Sequence, residues 1–115
     1  MSNGTTGAKA PYADAVTQAI DAAREELVAI SLDIHAHPET NYQEYYAAKL
    51  LSDTLELHGF KVERGTGGVE TSFRGTIEGG AGSGPTVAFM AEYDALPDVG
   101  DAEQVLEKAH ACGHN

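Results

Sequence analysis

Apolar positions Val16, Ile20, Ala23, Leu27, Ile30 and Ile34 recur at steps of four, three, four, three and four, the period of one face of an α-helix. The spacing predicts one long helix from residue 11 to near His37, where Pro38 pushes the preceding residue out of helical backbone. A second helix is predicted from Asn41, read as its N-cap with Glu44 three residues on, to Gly59, the left-handed stop. Ala48, Leu51, Leu55 and His58 mark its packing face. Residues 60–64, 69–77 and 86–91 read as short strands separated by Gly-rich turns. The last of them, TVAFMA, is apolar on both faces, which predicts a central strand covered by helices on both sides. Residues 1–10 lack any periodicity and read as a disordered tail, leaving residues 11–115 as the folded part. The expected class is α/β: two helices followed by strands of a mixed sheet.

Composition narrows the range of functions. At 115 residues and 42% hydrophobic content the chain suits one small domain with a core. Seven Lys and Arg against 18 Asp and Glu give a net charge of −11, which repels phosphate backbones and anionic lipid, so neither nucleic acid nor a membrane surface is an expected partner. The single cysteine, Cys112, forms no intrachain disulfide, and no signal peptide or spanning segment is visible, so a cytoplasmic location is expected.

Four segments bear on chemistry. The GGAGSG run at residues 79–84 lacks the Gly-Lys-Ser/Thr of a phosphate loop and leads through Pro85 into a predicted strand, so it reads as a hairpin loop. His35 and His37 sit at a helix end, where residues two apart point roughly 200° from each other, so capping or packing is favoured over shared metal ligation. In HACGHN, residues 110–115, an extended backbone through Gly113 would project Cys112 and His114 from one face toward a shared zinc-like ion; the alternative is a buried thiol with an incidental histidine neighbour. A cysteine nucleophile fits less well, since the histidines upstream fall on helices. Glu92 and Asp94, in AEYDALP, leave the predicted strand on one face, as metal ligands, as acceptors beside a metal, or as a solvated strand end.

Taken in order, HPETNYQE (37–44), AEYDALP (91–97) and HACGHN (110–115) resemble the dinuclear zinc amidohydrolases and peptidases that include aminoacylases, carboxypeptidases and auxin-conjugate hydrolases. Within that family the resemblance is closest to the branch of p-aminobenzoyl-glutamate hydrolase and β-alanyl-lysine-type dipeptidases, and it covers residues 13–115. It implies hydrolysis of the amide bond of a small peptide or N-acyl amino acid by water activated on a divalent metal, zinc or alternatively manganese. It also implies metal ligation by Cys112 and His114, a supporting place for Asp94 beside the metal, and a structural use of His35, His37, Pro38 and Glu39. The parent enzyme is then expected to be a homodimer.

Two departures qualify this. Residues 101–109, of helix-forming composition, separate ALP from HACGH where the branch has only a few residues. The chain also ends at Asn115, where the family continues to a catalytic Glu and further ligands. The expectation is therefore the N-terminal part of a zinc-hydrolase catalytic domain, inactive alone and prone to self-association. Its rivals are a non-enzymatic remnant or interaction module, and a cysteine-dependent hydrolase.

Overall fold

The computed structural model describes residues 7, 8, 10–100 and 103–115, so most of the expected N-terminal tail lies outside the described residues. Its elements run α1 (Ala13–Ala22), α2 (Arg24–Ala36), α3 (Tyr45–Leu57), β1 (Lys61–Arg64), a short 3-10 turn (Thr66–Gly68), β2 (Phe73–Thr76), β3 (Leu96–Gly100) and β4 (Val105–Ala109). This is an α/β arrangement, as the sequence implies. The long first helix is present but broken at Ala23, where φ −89° and ψ 0° tighten one turn. Its N–H is shared between the carbonyls of Ala19 and Ile20, both at 3.1 Å, a three-centre bond of the kind helix ends make. The predicted stop before Pro38 stands, with His37 capping α2 at φ −125° and ψ 63°.

The start of α3 departs from the expectation. Asn41 and Tyr42 both adopt left-handed backbone, at φ 58° and 62°, so Asn41 is part of a turn and not the N-cap. Glu44 holds the N-cap position without a side-chain cap bond of its own, and Glu39 supplies the missing acceptors: its carboxylate accepts the N–H groups of Tyr46 and Ala47, each at 2.9 Å. Glu44 reaches back as expected, but to the N–H of Tyr42 at 3.1 Å. The other end follows the sequence. Gly59 sits at φ 88°, its N–H bonds to the Glu56 carbonyl and that of Phe60 to the Leu55 carbonyl, both at 3.0 Å, which together close a Schellman cap.

Helix α3 packs on the antiparallel pair β1–β2, in which Glu63 faces Arg74 and Val62 faces Gly75. A Cβ at Gly75 would stand 2.8 Å from Leu55 Cδ1, so the Leu55 side chain fills the space that the glycine leaves on the sheet. Arg64 ties the two layers, donating to Ser52 at 3.1 Å and to Asp53 at 2.8 Å. The packing face is rotated slightly from the predicted one: Ala47 and Ser52 are the buried positions of α3, with Ala48, Leu51 and Leu55 half-buried and His58 exposed.

Two elements differ from expectation further along. Residues 86–91 form no strand, and Phe89 and Met90 stand 96% and 98% exposed. The TVAFMA run has the composition of a central strand, but no described segment pairs with it or covers it. Of residues 101–109, read as helix-forming, Val105–Ala109 instead form β4, which pairs antiparallel with β3 in a register that sets Leu96 opposite Ala109 and Gly100 opposite Val105, while 101 and 102 lie outside the described residues. A two-stranded ribbon satisfies the backbone locally where, among the described residues, no neighbouring face exists to bury a helix.

Among the described residues, the buried apolar side chains are Ile34, Ala47 and Ala95. The accessible surface is 9322 Å², against about 6,000 Å² for a compact domain of this length. The radius of gyration is 18.3 Å, where about 13 Å would be compact. The predicted stripe on α1 and α2 is accordingly covered at one end only: Ile34 is buried, while Val16, Ile20 and Leu27 are about half exposed. The structure is that of a small partial domain.

Candidate metal centre

Residues 91–95 belong to no helix or sheet, and side-chain and backbone contacts hold them instead. The Ala95 N–H donates to the Glu39 carbonyl at 2.8 Å, the Tyr93 hydroxyl donates to the Thr71 carbonyl, and the Tyr93 ring stacks on Phe73 with centroids 5.7 Å apart. Burial, with Glu44 and Glu39 nearby, holds the Tyr93 phenol above its usual range. With Tyr93 and Ala95 turned inward, a two-residue alternation turns Glu92 and Asp94 outward together.

The β3–β4 hairpin then brings the chain back. Because Leu96 pairs with Ala109, the residues after Ala109 return beside those before Leu96. His114 arrives at Asp94, with Nδ1 2.9 Å from Asp94 Oδ1 and Nε2 3.7 Å from Glu92 Oε2. One donor atom from each of Glu92, Asp94 and His114 lies within 4.8 Å of the others, a grouping that can hold a metal ion. A carboxylate only accepts, so the Nδ1 contact makes Nδ1–H the donor, and in the neutral imidazole this assigns the lone pair to Nε2. That tautomer suits a ligating histidine oriented by a carboxylate behind it. An ion about 2.0–2.2 Å from each ligand atom spans the Nε2 to Glu92 separation. The donor set, one imidazole and carboxylate oxygens, suits a zinc-class or manganese-class divalent ion. Glu92 and Asp94 of this group line a cleft of ≈ 460 Å³ together with Tyr42, Glu44, Thr71 and Tyr93.

Of the residues singled out in the sequence, the fold brings together Asp94 and His114, with Glu92 beside them. Cys112 is exposed and stands outside this group. Gly113 takes φ 74°, which bends the backbone where an extended segment would have aligned Cys112 with His114. His110 lies against α2, its ring 6.4 Å from that of His35; both its ring nitrogens are shielded from solvent, and burial, then the nearby His35, holds the imidazole below its usual value. His37 plays the structural part expected of it, with Nδ1 2.8 Å from the Asp33 carbonyl and its ring stacked 4.1 Å from Tyr46. Sequence reasoning missed Ser31 and Asn115: the Asn115 amide donates to the Ser31 carbonyl at 3.0 Å and to its hydroxyl at 3.1 Å. No local pattern could have paired residues 84 positions apart.

No family model and no solved structure matches the chain. Curated proteins do. It is 40% identical over 94 residues to thermostable carboxypeptidase 2 of Saccharolobus solfataricus, covering 77% of this chain and 23% of that protein. It is 34% identical over 108 residues to one of the subunits of p-aminobenzoyl-glutamate hydrolase from Escherichia coli, covering 87% and 22%. It is 32% identical over 108 residues to an N-acyl-L-amino acid amidohydrolase of Geobacillus stearothermophilus, covering 87% and 28%. The chain thus spans about a quarter of the length of the relatives it matches. Over that quarter it belongs to the family of amidohydrolases and carboxypeptidases that these proteins represent.

Proposed function

We propose that this chain contributes part of the metal site of an amidohydrolase acting on the amide bond of a small peptide or N-acyl amino acid. The observation that carries the reading is the contact of His114 Nδ1 with Asp94 Oδ1 at 2.9 Å, which leaves Nε2 facing Glu92. In this reading His114 and Glu92 ligate, and Asp94 orients the imidazole. Cys112 is the further ligand that the resemblance implies, reaching the ion by a rotation of the segment about Gly113. A bound zinc ion, or manganese in its place, supplies Lewis acidity toward water and the amide carbonyl. Beside it Glu92 and Asp94 line a cleft with Tyr42, Glu44, Thr71 and Tyr93. Turnover belongs to a longer protein, about four times this length by comparison with its relatives, that acts in the cytoplasm as a homodimer. The 115 residues alone are expected to be inactive, because no further described side chain in the group serves as a general base.

Calorimetric titration of zinc into wild type, Glu92→Gln, His114→Ala and Cys112→Ser tests the assignment. Loss of affinity in the first two variants supports the Glu92–His114 site, and a further loss in Cys112→Ser adds the thiolate. Affinity unchanged in His114→Ala removes the site.

A further inference from the structure

The segment that carries His114 is held at both sides. On one side the β3–β4 register fixes Ala109 against Leu96. On the other, Asn115 is fastened to the middle of α2 by three hydrogen bonds: the Asn115 side-chain amide donates to the Ser31 carbonyl at 3.0 Å and hydroxyl at 3.1 Å, and the Ser31 hydroxyl donates to the Asn115 main-chain oxygen at 3.1 Å. One helical turn further along the same face, His35 meets His110. Between these two anchorages lies Gly113, at φ 74°, a residue whose backbone is free to swing. His114 follows it directly, so without the anchor at Asn115 its ring has no fixed azimuth about the chain.

We infer that Ser31 is a positioning residue for the metal site, acting through Asn115 to hold the His114 ring against Asp94. Ser31 touches neither Asp94 nor any proposed ligand; its effect passes along one backbone step, from Asn115 to His114. The inference rests on the metal reading above for its functional meaning, but its structural content is measurable without metal. The Nδ1–H of His114 is held by Asp94 only while the segment is clamped. With the clamp gone the imidazole samples other orientations, and Nε2 no longer faces Glu92.

The test uses the full chain as wild type, Ser31→Ala, Ser31→Ala/Asn115→Ala and Ser31→Thr, with helix content checked by circular dichroism. Long-range proton–nitrogen NMR of the His114 ring in metal-free protein reads the hydrogen-bonded Nδ1–H directly. Ser31→Ala, which keeps only the bond from the Asn115 amide to the residue-31 carbonyl, is expected to weaken that signature with helix content unchanged; Ser31→Ala/Asn115→Ala, which removes all three bonds, is expected to lose it and to bind zinc about tenfold or more weakly, the loss typical of removing an outer support of a ligand. Ser31→Thr, which keeps the hydroxyl, retains both. Ring signals in Ser31→Ala identical to wild type overturn the inference. His114→Ala, titrated with zinc alongside, separates the two readings. If its affinity equals wild type the metal reading fails, and the NMR comparison still decides the clamp.

Discussion

The carboxylate of Glu39 accepts the backbone N–H of Ala47 at 2.9 Å, and that of Tyr46 at the same distance, while the Glu39 carbonyl accepts the N–H of Ala95. One residue therefore caps α3 and moors the segment that presents Glu92 and Asp94. Glu39→Ala is expected to lower stability by about 1 kcal/mol or somewhat more, the usual cost of a lost N-cap. Glu39→Gln, which keeps one acceptor, should lose less. Urea titration followed by circular dichroism measures both, and a midpoint unchanged in Glu39→Ala would remove the cap assignment.

His35 and His37 lie outside the three-residue metal group. The double variant His35→Gln/His37→Gln is expected to bind zinc as wild type does. Its stability should fall by a few tenths of a kcal/mol, from the lost favourable contact at the carbonyl end of α2. A tenfold drop in zinc affinity by calorimetry contradicts this placement.

Asp53 couples α3 to β1 through Arg64 and pairs with Lys49 one turn back on its own helix. The Lys49 ammonium, and then Arg64, hold its carboxyl below the ordinary value of 3.8. A depressed folded value means that the contribution to stability is present above about pH 3.8 and is lost as pH falls through the folded value. The thermal midpoint of wild type should therefore exceed that of Asp53→Asn at neutral pH and converge with it at strongly acidic pH. Melting curves between pH 7 and pH 2 in low salt decide this, and parallel pH profiles of the two proteins count against it.

The exposed run at residues 86–91 carries Val87, Phe89 and Met90 on unpaired backbone. Apolar residues of strand composition in that state invite association between copies. Sedimentation velocity should show wild type forming concentration-dependent oligomers, with Phe89→Glu/Met90→Lys shifted toward monomer. A wild type that remains monomeric at all accessible concentrations goes against the prediction.

Helical periodicity, the stop before Pro38, the Gly59 cap and the outward alternation of Glu92 and Asp94 were legible in the sequence because each is decided within a few residues by sterics and local hydrogen bonds. Only the tertiary structure decided the rest. Glu39 supplies the capping acceptors in place of Asn41 because Glu39 is moored by Ala95, far along the chain. Val105–Ala109 become a strand because β3 offers a hydrogen-bonding edge and, among the described residues, nothing offers a face for a helix. TVAFMA stays bare because a central strand exists only when neighbours flank it. His114 joins Asp94, while Cys112 stays apart, through a hairpin register, a bend at Gly113 and a bond from Asn115 to Ser31. Closing loops of 20 and 84 residues costs chain entropy that only the summed contacts of the folded chain offset, so no window of sequence could have shown them.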